Sequence, residues 1–86
     1  MSITQELKSI FSGEQKVTDE EQSVLEDAML FYRDDVELGL VQDVLYAWYC
    51  KIMGIIEFLR MTGRIDEKQD EDLCMLLNAI EAGKGE

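Results

Sequence analysis

The stretch LGLVQDVLYAWYCKIMGIIEFL, residues 38–59, decides the fold of this chain. Its apolar residues recur at alternating intervals of three and four, the a/d pattern that holds one face of an α-helix against another helix. This seam consists of Leu38, Val41, Leu45, Trp48, Ile52, Ile55 and Leu59. A long helix with such a face is not stable alone in water, so we expect other segments, or a second copy of the chain, to cover it.

The composition predicts an all-α protein in a single domain, residues 1–86. The chain has 86 residues, 47% of them hydrophobic and none of them proline. Capping patterns begin at Ser2, Thr18 and Asp66, each ahead of apolar residues at helical spacing. We predict a small four-helix bundle with a short first helix and a long third helix, spanning residues 2–12, 18–34, 37–62 and 66–82.

The chain is expected to bend between residues 33 and 40. A single helix over 18–62 would be about 66 Å long at 1.5 Å per residue, too long for a compact domain of this size. Two patterns compete for the position of the break. Asp34 with Glu37 has the form of a new capping box, whereas Gly39 followed by Leu40 is typical of a left-handed helix terminus.

Two further positions bear on the packing. The second helix is predicted to bury an apolar stripe that consists of Val24, Leu25, Ala28, Met29, Phe31 and Tyr32. Gly54 costs about 1 kcal/mol relative to alanine inside a helix. Either this glycine has no structural role, or another helix crosses closely there, beside Ala47.

Acidic residues dominate the charge of the chain. There are 19 Asp and Glu against 8 Lys and Arg, which gives a net charge of −11 and a pI near 4.2. Nucleic acid and anionic membranes repel such a chain, so we expect a basic protein as partner and no direct binding to either of them. The candidate partner-binding acidic face consists of Glu20, Asp27, Asp34, Asp66, Glu67, Asp70 and Glu71. The alternative is that these carboxylates only keep the protein soluble.

No catalytic or cofactor motif is recognisable, and we predict no enzymatic activity, no cofactor and no metal site. The chain contains no histidine, which excludes the usual Cys/His zinc sets and histidine acid–base catalysis. Cys50 and Cys74 lack the close spacing of zinc ligands and are expected to be reduced, buried thiols inside helices. Since neither a secretory signal nor a membrane-spanning stretch is visible, we expect a soluble cytoplasmic protein.

Two functional hypotheses follow from these patterns. The first is an acidic inhibitor or antagonist that occupies the basic surface of a nucleic-acid-handling protein. Immunity proteins and phage anti-defence proteins offer an analogy, with nucleic-acid mimicry as one form of it. The second is a self-associating helical adaptor, scaffold or assembly chaperone. We expect a homodimer, with Trp48, Ile52 and Ile55 near its axis.

Overall fold

The computed structural model describes residues 2–13 and 16–83, and within them the chain forms four α-helices and no β-strand. The helices are α1 (Ile3–Ile10), α2 (Asp19–Glu37), α3 (Gln42–Met61) and α4 (Glu67–Glu81). They pack together with a Cα radius of gyration of 12.4 Å. The prediction of a small all-α four-helix bundle is confirmed. Met1, residues 14–15 and residues 84–86 of the predicted domain lie outside the described residues.

Side-chain caps start three of the helices where the sequence indicates them. The Thr18 hydroxyl accepts a hydrogen bond from the backbone N–H of Glu21 (3.1 Å), and the Glu21 carboxylate accepts one from the N–H of Thr18 (3.0 Å). Asp66 and Gln69 form the same reciprocal pair at the start of α4, at 2.8 and 3.0 Å. Ser2 accepts a single bond from Gln5 N–H at the start of α1. These contacts satisfy N–H groups that have no partner within the helix.

The break between α2 and α3 lies at Gly39, which decides between the two sequence patterns. Gly39 has a φ of +69°, and its N–H donates to the carbonyl of Val36 (3.1 Å) while Leu40 N–H donates to that of Asp35 (3.2 Å). This is the left-handed terminus that glycine favours. Asp34 lies inside α2 and starts no helix. Because the break comes late, α3 has 20 residues against 19 in α2, and the two are nearly equal in length.

The same break corrects the predicted seam at its first two positions. Leu38 follows the last residue of α2 and Val41 precedes the first residue of α3, and the two are 73% and 69% exposed. The prediction that they are buried in a continuous helical seam is therefore wrong. The seam begins at Leu45, which is half-buried.

The buried face of α3 is turned slightly away from the predicted one. Ile52 and Leu59 are buried, as is Ile56, which lies outside the seam, while Trp48 and Ile55 are only half-buried at its edge. These α3 side chains meet one buried face from each of the other helices. The largest fully buried side chains are Ile3, Leu25, Met29, Ile52, Ile56, Leu59, Leu73, Leu77 and Ile80.

Among the described helices, none crosses closely at Gly54. A Cβ atom placed there would have no heavy atom of another segment of the described chain within 4 Å, and both Gly54 and Ala47 are exposed. The alternative in which this glycine admits a neighbouring helix of the same chain is therefore wrong. Gly54 lies on the open side of α3.

Candidate interaction surface

Three of the predicted acidic residues form a row along the exposed side of α2. Glu20, Asp27 and Asp34 are exposed, and they recur every seven residues, which keeps them within about 40° of one another around the helix. Asp34 lies 3.2 Å from the guanidinium of Arg33. Within the described part of the chain, Glu20 and Asp27 have no ion-pair partner. We call Glu20, Asp27 and Asp34 the acidic row.

Apolar side chains alternate with the acidic row. Val24 and Phe31 are 54% and 57% exposed, which corrects the prediction that they belong to the buried stripe of α2. Leu38 continues their seven-residue interval just after the helix. The burial of α2 is instead confined to Leu25, Ala28, Met29 and Tyr32. One side of α2 therefore presents carboxylates and large apolar groups together.

Trp48 joins this side of α2 to α3. Its indole Nε1 donates a hydrogen bond of 2.6 Å to Oδ2 of Asp35. Its ring stacks on Phe31, with centroids 5.9 Å apart and planes inclined by 18°. The ammonium of Lys51 lies 5.2 Å from the centroid of the Trp48 ring, within the range of a cation–π contact. These contacts fix the indole at the border between the two helices.

On α3 the apolar surface continues on both sides of Trp48. One depression between α2 and α3 is lined by Glu20, Glu21, Val24, Ile55, Phe58 and Leu59. A second depression, on α3, is lined by Asp43, Val44, Ala47, Trp48 and Lys51. Phe58 is 55% exposed. We call the surface formed by Val24, Phe31, Val44, Trp48, Ile55 and Phe58 the apolar groove.

The remaining predicted acidic residues lie on α4 and form a separate group. Asp66 caps the helix, and Asp70 lies 3.3 Å from Nη1 of Arg60. Glu67 and Glu71 are exposed. On α3, Arg60 contacts Asp70 of α4, and Trp48 contacts α2. Trp48 and Arg60 are twelve residues apart, which places them about 120° apart around α3. The predicted acidic face is thus divided between two flanks of α3.

One long-range ion pair closes the end of the bundle next to the apolar groove. Nη1 of Arg64 donates to Oε1 of Glu21 at 2.7 Å, and the guanidinium carbon of Arg64 lies 5.5 Å from the ring centroid of Phe58. The pKa of Glu21 is lowered from its ordinary value of 4.5, chiefly by the hydrogen bond from the Thr18 backbone, with Arg64 acting in the same direction against partial desolvation. Glu21 is thereby held in its charged form.

Both cysteines are free, with Cys50 exposed and Cys74 half-buried, so the prediction that both thiols are buried is wrong. Desolvation raises the pKa of the Cys74 thiol, with a smaller contribution from Asp70, so this sulfur is less nucleophilic than a free cysteine. A hydrogen bond with Cys50 raises the pKa of Tyr46, and desolvation raises that of Tyr32. In the described residues, no group of three or more Cys, Asp and Glu side chains is arranged to hold a metal ion.

Comparison with protein-family models, with curated proteins and with solved structures gives no match for this chain. Among the described helices, none combines the length and the hydropathy that crossing a bilayer requires.

Proposed function

We propose that this protein is a non-enzymatic, acidic binding module that inhibits or antagonises a nucleic-acid-handling protein by occupying its basic surface. The observation that carries the proposal is the acidic row. Three carboxylates lie along one exposed side of a single helix, and two of them have no ion-pair partner among the described residues. Packing already orders the helix backbone that carries these carboxylates, so binding costs little further backbone freedom, although the exposed side chains themselves still lose rotamer freedom.

The net charge supports the same proposal. At −11, the chain attracts a basic protein over a distance of about one Debye length and repels nucleic acid. A basic surface that normally binds phosphates would be blocked by such a module without any chemical step. The raised pKa of Cys74 supports a non-catalytic role, because it lowers the thiolate fraction.

The test uses the whole chain as an affinity bait, followed by a competition assay with the captured protein. We expect a basic nucleic-acid-binding partner whose affinity for this chain falls as salt is raised, and whose nucleic acid is displaced when the chain is added. A partner that binds this chain and its nucleic acid simultaneously, or one that binds independently of salt, would refute the proposal.

A second candidate is a self-associating adaptor, scaffold or assembly chaperone. The observation that favours it is the exposed side of α3, where Val44, Ala47, Lys51, Gly54 and Phe58 recur at intervals of three and four. Ile52, expected near the dimer axis, is fully buried within the chain, so a homodimer would use this outer side instead. Because two copies with a charge of −11 repel each other, dimerisation would strengthen as salt is raised, the reverse of binding to a basic partner.

We also propose a cytoplasmic location. Cys50 and Cys74 are both free thiols, which supports a reducing compartment.

A further inference from the structure

We propose that the apolar groove binds an amphipathic, basic α-helix of the partner protein. This inference rests on the proposed function, because it assigns the partner chemistry and the binding site of the same module. In this proposal, apolar contacts in the groove supply most of the affinity for the partner helix. The acidic row supplies the preference for basic sequences.

The shape of the groove fits a helix. α2 and α3 are joined through the stacked rings of Phe31 and Trp48, and a depression lies on either side of that stack. The first depression includes Val44 and Ala47 and the second includes Ile55 and Phe58, so their centres are about eleven residues, or about 16 Å, apart along α3. Two apolar side chains three turns apart on a partner helix span the same distance, so the i, i+3, i+4 and i+7 anchors of a groove-bound helix, continued for one further turn, would reach both depressions.

The charges beside the groove fix the side on which the partner is basic. Asp27 lies three positions after Val24, and Asp34 lies three positions after Phe31. Each carboxylate is therefore about 60° around α2 from its apolar neighbour in the groove. Asp35, which bonds Trp48, is turned the other way from Phe31, towards α3. The acidic row therefore forms the outer rim of the groove on α2. Lysines or arginines on one flank of a bound helix would reach it.

The α3 side of the groove carries both signs of charge, because Lys51 and Asp43 line the same depression. The ammonium of Lys51 lies over Trp48, and Arg64 lies over Phe58 but is paired with Glu21. Lys51 would repel a basic helix and would attract a carboxylate of a second copy of this chain. Replacing Lys51 therefore has opposite effects for the two occupants: a basic helix binds more tightly, whereas a homodimer is weakened.

A synthetic peptide tests the inference, with Trp48 as the reporter. Trp48 is the only tryptophan in the chain, so its emission reports on the groove alone. The probe is a helical peptide of about 18 residues, made of leucine and lysine with leucines at intervals of three and four, since the groove is about 21 Å long and matches about 14 helical residues. A scrambled peptide of the same composition has the same charge but no apolar face. We expect the amphipathic peptide to shift Trp48 emission to shorter wavelength and to bind at least about tenfold more tightly than the scrambled one.

Charge-matched variants locate the binding site. Asp27→Asn with Asp34→Asn is expected to weaken peptide binding about tenfold, and Lys51→Gln to strengthen it. Glu6→Gln with Glu81→Gln removes the same charge from exposed positions on α1 and α4 and is expected to leave the affinity within about twofold. Circular dichroism of each variant checks that the helices are intact.

The outcomes separate this inference from the proposed function. Equal binding of the scrambled peptide, or equal loss in the Glu6/Glu81 control, would overturn the groove as the site. A concentration-dependent dimer that shifts Trp48 emission and is weakened by Lys51→Gln would assign the groove to a second copy instead. If a captured basic partner loses affinity for the Asp27/Asp34 variant while the amphipathic peptide binds the native chain no better than the scrambled one, the groove inference fails while the proposed function stands.

Discussion

The indole of Trp48 and the carboxylate of Asp35 are joined by a hydrogen bond of 2.6 Å across the junction between α2 and α3. The two residues are thirteen positions apart, on either side of the turn at Gly39. This bond orients a half-buried aromatic ring that stacks on Phe31 and contributes to the apolar groove. The geometry of the turn and that of the groove are therefore linked.

Removing that bond should weaken the bundle and loosen the groove together. Asp35→Ala is expected to lower the free energy of unfolding by about 1–2 kcal/mol, because a hydrogen bond to a charged group is lost at a half-buried site. Urea unfolding followed by circular dichroism measures this, and Trp48 emission should move to longer wavelength in the folded state. Asp34→Ala, one residue away and exposed, is the control and should cost less than about 0.5 kcal/mol. Equal effects of the two changes would mean that the indole bond contributes nothing.

Truncating Ile52 and truncating Leu38, two residues of the predicted seam, should change the free energy of unfolding by different amounts. Ile52→Ala leaves a cavity at a fully buried site and should cost about 2–5 kcal/mol. Leu38→Ala removes a side chain that is largely exposed and should change stability by less than about 0.5 kcal/mol. The two variants are compared in the same urea titration. A large cost at Leu38 would indicate that this residue is covered in solution, as a dimer through the turn would require.

Gly54 offers a stabilising change. Gly54→Ala should raise the free energy of unfolding by about 1 kcal/mol, since the added methyl meets no other segment of the described chain and alanine is the better helix former. Gly39→Ala is the matched comparison and should be destabilising, because Gly39 has a φ of +69°. Thermal unfolding of both variants checks the signs. A loss of stability in Gly54→Ala at high protein concentration, with none on dilution, would favour close helix packing in a homodimer instead.

Acid should weaken the contact at the start of α2. The pKa of Glu21 is lower in the folded chain than its ordinary value of 4.5, so ionised Glu21 stabilises the fold above that value. This stabilisation is lost as the pH falls below 4.5 and through the lower folded-state pKa. The measurement is the free energy of unfolding between about pH 6 and about pH 3. As the pH is lowered, it should fall less steeply in Glu21→Gln than in the native chain. Parallel curves would show that Glu21 does not contribute.

The helices and their caps were predictable because they depend on nearby residues. The reciprocal Thr18–Glu21 and Asp66–Gln69 contacts span three positions, and the sequence specifies both partners. The position of the break was harder, since the Asp34 and Gly39 patterns are both local and only one of them forms. The left-handed backbone at Gly39 ends α2, and as a result Leu38 and Val41 lie outside both helices and are exposed.

The groove could not be read from periodicity alone. Val24, Ala28 and Phe31 have helical spacing, and so do Leu25, Met29 and Tyr32; which set faces the core depends on how α2 is rotated against α3 and α4. In the structure the second set is buried together with Ala28, whereas Val24 and Phe31 are exposed and Phe31 stacks on Trp48. One signal was present in the sequence: Val24, Phe31 and Leu38 recur at the same interval as Glu20, Asp27 and Asp34, so an apolar side chain regularly neighbours a carboxylate on one side of the helix.

The most direct test of the central claim is the affinity of the captured partner for the native chain and for Glu20→Gln/Asp27→Asn/Asp34→Asn, measured by calorimetry at about 20 mM and about 150 mM ionic strength. We predict that the native affinity falls at least about tenfold between the two conditions, and that the variant binds more weakly and depends less on salt. A native affinity that is the same at both ionic strengths, or a variant with the native affinity and salt dependence, would contradict the account.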